Sequence, residues 1–348
     1  MSVTKSIFGY IQDKEITIFT LKNNNGHTIE LLNFGGIVHS WTTPDRDGNM
    51  GDILLGCETL ADYQDRHPYF GAVVGRYANR IAYGRFKIDG YDYQLATNLP
   101  PHHLHGGVYG LDRKIWDAEI VTSTPYTSIK LTTFSPDMEE GYPGNLIVTV
   151  TYSLDDNNNF LIEYKAVSDK KTHINLTNHS YFDLSCGHDD TILDHQLMVA
   201  ASQILETDEG LIPTGKFIDL SGTILDYLTA KVISSDFDVS HPMMQNQKGL
   251  DHCFVLTDHD IAQPIAELVS RSSGRRLQVF TSEPSIQVYT GNWLNEVRSK
   301  NGLLNDYQGI CLETQHYPDS PNHSDFPSTL LAPEQIFYSK TIYKVDCI

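Results

Sequence analysis

The amino-acid sequence predicts an all-β fold, a large antiparallel β-sandwich with few short helices. Short runs of alternating apolar and polar residues, rich in Val, Ile, Thr, Tyr and Phe, recur from end to end. Gly, Asn and Asp punctuate them. Helical periodicity is confined to a turn or two near Thr59 to Gln64 and Ser234 to Val239. Strands that follow one another without intervening helices form antiparallel sheets, and such sheets bury their apolar faces against each other.

The first strands read at Glu15 to Leu21 (EITIFTL), Thr28 to Asn33, Ile37 to Trp41 and Asp52 to Leu55. Phe86 to Ile88 and Tyr91 to Leu95 flank Asp89-Gly90, a dipeptide that tolerates the positive φ angles of a type I′ turn, so the pair is a hairpin. A second hairpin follows. Leu146, Val148, Val150, Tyr152 and Leu154 alternate with polar neighbours, Asp155 to Asn159 form the loop, and Phe160, Ile162, Tyr164 and Ala166 alternate on the return. Later strands read at Ile174 to Leu184, Gln196 to Ala200, Cys253 to Leu256, Ile265 to Arg271, Arg276 to Thr281, Ile286 to Thr290, Ile310 to Gln315 and Gln335 to Val345. No Pro/Gly/Ser-rich linker, composition shift or internal repeat divides the chain, so residues 1–348 are expected to form a single domain.

Composition bounds the partners. With 348 residues, 40% of them hydrophobic and 20% charged, the chain can bury a core without disulfide or metal staples. Its 25 basic and 44 acidic residues give a net charge of −19, and no basic run could track a phosphate backbone, so nucleic acid is excluded as an expected partner. The start, MSVTKSIFGYIQDKE, lacks the apolar stretch of a signal peptide, and no membrane-length apolar run occurs. A soluble, cytoplasmic protein is expected. The five cysteines, Cys57, Cys186, Cys253, Cys311 and Cys347, are scattered without a CxxC pair, the usage of reduced structural thiols.

Four segments carry chemistry. The longest, VVGRYANRIAYGRFKIDGYDYQLATNLPPHHLHGGVYGLDRKIW, holds Arg76, Asn79, Arg80, His102, His103 and His105, the last directly before Gly106-Gly107. A Gly pair lets backbone approach a ligand closely and would present His105 at a pocket edge; a plain surface loop is the alternative. The three histidines also invite a metal reading, but no HExxH helix and no carboxylate at ligand spacing accompanies them. Arg76 and Arg80 offer guanidinium forks suited to a hydroxyl-rich ligand, or are surface charges.

In HINLTNHSYFDL, strand alternation puts His173, Asn175, Thr177, His179, Tyr181 and Asp183 on one face, either a solvated face or a site. GLDHCF sets Asp251 at a strand entry, where Asp is ordinarily turn chemistry. GICLETQHYPDSPNH places Glu313 inside a β-like run. A carboxylate there contradicts local preference, and such contradictions concentrate at functional sites, which makes Glu313 the best single candidate. Nearby, SIQVYTGNW puts Gln287 and Tyr289 on one side.

Taken together, these motifs resemble the aldose 1-epimerases, or galactose mutarotases, and in particular their bacterial hexose mutarotase group. The resemblance runs from the N-terminal strands to about Phe337, and rests on VVGRYANRIAYGRF, LHGG, NLTNHSYFDL, GLDHCF, IQVYTGN and LETQHYPDSPNH. It implies a galactose mutarotase-like supersandwich with an open groove on one sheet. It also implies an isomerase that interconverts the α and β anomers of free hexoses such as galactose and glucose, by acid/base ring opening and reclosure without cofactor or metal. By resemblance Glu313 is the base, His179 the acid and His105 a partner of the ring oxygen or a hydroxyl, while Asn79, Arg80, Asp251 and Gln287 bind the sugar. Asp183 and Cys186 depart from the family, which more often has Asn and Ser or Gly there. Asp183 or Asp251 is expected to hold the proton on His179. The partner is a small aldohexose, and the chain a monomer or homodimer. Three rivals remain at this point: an epimerase of hexose 6-phosphates on the same fold, a glycosidase using Glu313 with Asp251, and a non-catalytic carbohydrate-binding protein.

Overall fold

The structure, a computed structural model, describes residues 1–65, 67–123, 125–256 and 260–348. Its largest element is a nine-stranded sheet in the order Asp117–Ser123, Tyr126–Ser135, Leu146–Leu154, Asn159–Ser168, Phe337–Cys347, Arg275–Thr281, Ala266–Val269, Gln196–Val199 and Lys231–Val232. Opposite it lies a six-stranded sheet in the order Tyr181–Phe182, Ile310–Gln315, Ser285–Tyr289, Asp251–Val255, Gln203–Thr207 and Pro213–Asp219.

Alternation explains the packing. Val148, Val150, Tyr152, Ile162 and Tyr164 of the large sheet bury their side chains in one cluster with Phe254, Ile286, Val288, Ile310 and Leu312 of the small one. Tyr343 ties the layers, its hydroxyl donating to the Leu312 carbonyl at 2.8 Å. That cluster also takes in Phe19, Leu21, Ile29 and Trp41 from a five-stranded N-terminal sheet, Ser2–Ile11, Lys14–Lys22, Thr28–Leu32, Val38–Pro44 and Met50–Asp52 in sequence order.

Both expected hairpins form. Asp89 and Gly90 take φ of 51° and 84°, as the turn requires, and Leu154 pairs with Phe160 across the second loop. The helix near Thr59 is Leu60–Gln64, started by a reciprocal cap in which the Thr59 side chain accepts from the Asp62 N–H and the Asp62 carboxylate from the Thr59 N–H. The second helical stretch is a single 3₁₀ turn, Ile233–Asp236.

Three readings change. Ser2–Ile11 is an additional strand without a clean alternating pattern, because it lies at a sheet edge and most of its side chains face solvent. Asp117–Ser123 and Tyr126–Ser135 likewise extend the large sheet beyond the expected strands. The run from Ile174 to Leu184 is not one strand. Thr172–His173, Thr177–Asn178 and Tyr181–Phe182 are separate short pieces, pairing in turn with Leu330–Leu331, Val73–Val74 and Ile310–Cys311. Its polar side chains are buried rather than solvated; Asn175, for example, donates to the carbonyls of Ala78 and His316 and accepts from the His316 N–H. Among the described residues no helix is long and apolar enough to cross a membrane.

Candidate active site

The six-stranded sheet turns one face to the core, and its other face carries the chemistry. Because side chains alternate, the residues flanking Phe254, Ile286, Val288 and Leu312 all point away from the core. Pairing then aligns them across strands. Cys253 faces Gln287, which faces Glu313; in the next row Asp251 faces Tyr289, which faces Cys311, which faces Tyr181. Residues separated by dozens of positions in the chain thus become direct neighbours. A groove of about 790 Å³ opens over this face, lined by Glu313, His179, Asp251, Gln287, Tyr289 and Trp293 from below and by Tyr69, Asn79, Arg80 and His105 from the loops above.

Glu313 and His179 meet on the groove floor. Their Oε1 and Nε2 atoms are 3.7 Å apart, and both residues are buried. The His179 backbone is fixed by Ala72 and Gly71, its N–H donating to the first and its carbonyl accepting from the second at 3.0 Å each. Tyr181 and Tyr69 stack on its ring, with centroids at 5.0 and 5.8 Å, and His105 meets it edge-on at 5.3 Å.

Burial disfavours charge on both partners. It lowers the His179 pKa to about 4, its own backbone pulling the other way, and it raises that of Glu313 well above the usual carboxylate value. For Glu313 the negative Asp251 adds to the rise and Arg80 opposes it. The pair therefore holds one proton between its two members over a wide pH range. Among the described residues Glu313 Oε2 is buried with no hydrogen-bond partner, as are Gln287 Oε1, Arg80 Nε, Asp112 Oδ1 and His67 Nε2, so five side chains of one groove carry unmet polar atoms.

Around this pair the remaining groups orient one another. Gln287 Nε2 donates to Asp251 Oδ1 at 2.6 Å, while Arg80 lies 3.9 Å from Asp251 Oδ2 and its backbone N–H donates to Asn79 Oδ1 at 2.8 Å. Asn79 and His105 clasp each other. Each backbone N–H donates to the other residue, the Asn79 N–H to His105 Nδ1 and the His105 N–H to the Asn79 carbonyl, both at 3.1 Å. Since Nδ1 accepts, the His105 proton sits on Nε2, and burial keeps the ring neutral by pushing its pKa well below 6.5. Both residues adopt left-handed backbone, with φ of 67° and 53°, a conformation that non-glycine residues hold only where surrounding contacts enforce it.

The Gly106-Gly107 pair has a different cause from close approach to a ligand. At φ +87° Gly106 lies against the Gly75 backbone, where a Cβ would overlap the Gly75 carbonyl, and Gly107 lies against the Glu140 carboxylate. The pair lets the loop dock on the protein itself, which in turn aims His105.

Other expectations resolve as structural. Arg76 is buried and donates to Ser135 Oγ and to the carbonyls of Ser135, Pro136 and Pro143. His102 accepts from the Tyr83 N–H, and His103 bridges the Ala96 carbonyl and the Tyr142 hydroxyl, so neither joins His105. Asp183 does not reach His179: its carboxylate accepts from Ser185 and Gly187 and faces His195 at 3.7 Å. Asp251 is engaged by Gln287, and the carboxylate next to His179 is Glu313 itself.

Sequence reasoning missed Tyr69, Trp293 and Cys311. Tyr69, within HPYFG, looks like an ordinary core aromatic, and no pattern points to its stacking on His179. Cys311 Sγ lies 3.5 Å from His179 Nδ1. Among the described residues, one set of three potential ligand groups comes within 4.8 Å of one another: His179, Cys311 and Glu313. Burial holds the thiol protonated, raising its pKa well above 9.

The chain as a whole has counterparts among known proteins. The aldose 1-epimerase family profile matches residues 17–344. The chain belongs to the aldose 1-epimerase family. Galactose mutarotase of Mus musculus is 38% identical over 348 residues, covering 99% of this chain and 98% of that protein. Aldose 1-epimerase of Escherichia coli K12 is 36% identical over 331 residues, covering 94% of each. The crystal structure of galactose 1-epimerase from Lactobacillus acidophilus superposes with a TM-score of 0.88 at 30% identity, covering 99% of both chains. This aldose 1-epimerase is an isomerase that interconverts the anomers of an aldose, on a galactose mutarotase-like β-sandwich.

Proposed function

We propose that this aldose 1-epimerase opens and recloses free aldohexoses such as galactose and glucose with Glu313 as base and His179 as acid. Opening a cyclic hemiacetal removes the proton from the C1 hydroxyl and adds one to the ring oxygen. Those two oxygens are bonded to the same carbon, so acid and base must stand close together rather than at opposite edges of the sugar. The 3.7 Å separation of His179 Nε2 and Glu313 Oε1 carries this reading. One proton shared by two groups is also the stoichiometry the exchange needs: burial leaves it on Glu313 at rest, and once it has passed to His179 the carboxylate takes the C1 proton as the imidazolium gives one, the roles reversing after rotation about C1–C2.

Bound hydroxyls satisfy the unmet atoms of Glu313, Gln287 and Arg80, and Asp251 and Asn79 hold Gln287 and Arg80 in place. His105 offers a neutral Nε2–H donor toward the ring oxygen or a neighbouring hydroxyl. A neutral substrate fits better than a hexose 6-phosphate, because among the described residues each guanidinium of the groove already faces a carboxylate, while Arg80 Nε is left to meet a hydroxyl. Arg80 faces Asp251, and Arg113 donates to the carbonyls of Tyr63, Gln64 and Asp65. Five unpaired cysteines support a cytoplasmic setting, and a core cluster running from Phe19 to Val345 supports a single domain, working as a monomer or homodimer.

Polarimetry on freshly dissolved α-galactose is the test. Glu313→Gln and His179→Asn are each expected to lower turnover about 10²-fold or more while the melting curve stays cooperative. A folded variant of either kind with near-normal rate would overturn the assignment.

A further inference from the structure

We propose that Cys311 is a positioning residue for the catalytic acid, its sulfur accepting the Nδ1–H of His179 so that Nε2 is reserved for the proton exchanged with the sugar. The inference rests on the reading of His179 given above. An imidazole that gives up its Nε2 proton and takes it back must keep its other proton on Nδ1 throughout, and that requires an acceptor at Nδ1 in both states of the ring.

The structure places one there. Cys311 lies two residues before Glu313 on the same strand and points to the same face, with Sγ 3.5 Å from Nδ1 and the side chain fully buried. Tyr181 and Tyr69 fix the plane of the imidazole by stacking, but stacking leaves rotation within that plane free. The Nδ1 to Sγ contact on one side and the Nε2 to Glu313 contact on the other remove that freedom.

The choice of sulfur has a chemical consequence. Carboxylates commonly stand at this position behind a catalytic histidine, and there they stabilise the imidazolium strongly. A thiol sulfur is a weak acceptor, which selects the tautomer without holding the charge. That agrees with a ring that burial holds neutral down to about pH 4, so that the imidazolium, once formed in the cycle, gives up its Nε2 proton readily. The other groups facing His179 are Glu313, His105, Tyr69 and Tyr181, with Arg80, Asp251 and His67 in the same groove, and of these Tyr181 also has a side-chain hydrogen bond with Cys311.

The experiment compares Cys311→Ala and Cys311→Ser with the parent enzyme in kcat, KM and pH dependence, and follows the His179 tautomer by ¹⁵N NMR of the imidazole, assigned with His179→Asn. The alanine variant is expected to lose about tenfold in kcat with KM within about twofold, and its neutral His179 to shift toward the Nε2–H form. Serine, a stronger acceptor in the same place, should recover most of kcat and move the acid limb of the profile to higher pH, and this arm stands even if alanine impairs folding. Folded variants with the parent's kcat, pH limb and tautomer would overturn the inference, and so would a change confined to KM. An active His179→Asn would instead defeat the reading of His179 itself, so the two failures are told apart.

Discussion

At the scale of single residues, the proposed assignment makes the reaction depend on how burial divides one proton between Glu313 and His179. Turnover is expected to fall at low pH as His179 takes up a second proton near pH 4, and at high pH as Glu313, raised above the carboxylate range, loses the shared one. Arg80 lowers the affinity of Glu313 for its proton. Arg80→Gln should therefore move the alkaline limb upward, and should raise KM about tenfold by removing a charged sugar contact. A pH–rate profile displaced downward would contradict this. Glu313 was legible in the sequence because a carboxylate inside a strand violates local preference, and His105, Asn79, Arg80, Asp251 and Gln287 through the motifs around them. Tyr69 and Cys311 were not, since a Tyr next to Phe and a lone Cys in a strand are ordinary core residues until their neighbours are known.

At the scale of elements, the loop carrying His105 is only as accurate as its docking. Gly106→Ala would drive a methyl group into the Gly75 carbonyl, whereas Gly48, also at positive φ, has nothing within 4 Å of the site a Cβ would occupy. Gly48→Ala should cost about 1 kcal/mol of backbone strain alone, and Gly106→Ala several times that, with activity falling as His105 shifts. Thermal melts of the two variants measure the difference; equal losses would remove the docking argument. Hairpins were readable because Asp89-Gly90 and the alternation after Leu146 are local signals. The segment from Thr172 to Phe182 was not, because its pieces pair in turn with Leu330–Leu331, Val73–Val74 and Ile310–Cys311, and strand period holds no record of a change of partner.

At the scale of the whole molecule, the two-layer sandwich followed from strand count and the lack of helices, while the sheet order did not, since pairing between distant strands leaves no local trace. The interior also stores a pH dependence. His27, His39, His103, His173 and His179 are held to pKa values of about 4 by burial, and His67 to about 3. Unfolded, each titrates near 6.5. Between those values the unfolded chain binds more protons at these rings, so their contribution to stability is complete above about pH 6.5 and is lost as pH falls toward 4. Asp112, raised to about 7, Glu313, Asp319 and His316 act in the opposite sense but are fewer. Melting temperature should drop steeply from pH 7 to 5, and a flat profile would mean that these rings are already hydrated in the fold. The pairing of Gln287 with Glu313 has one more outcome. Slipping strand Ile310–Gln315 by a single residue would thrust the carboxylate into the oily interior and bring Leu312 up beneath the sugar, so every turnover certifies that two strands found their correct alignment, and recovered activity after denaturation counts correctly zipped molecules.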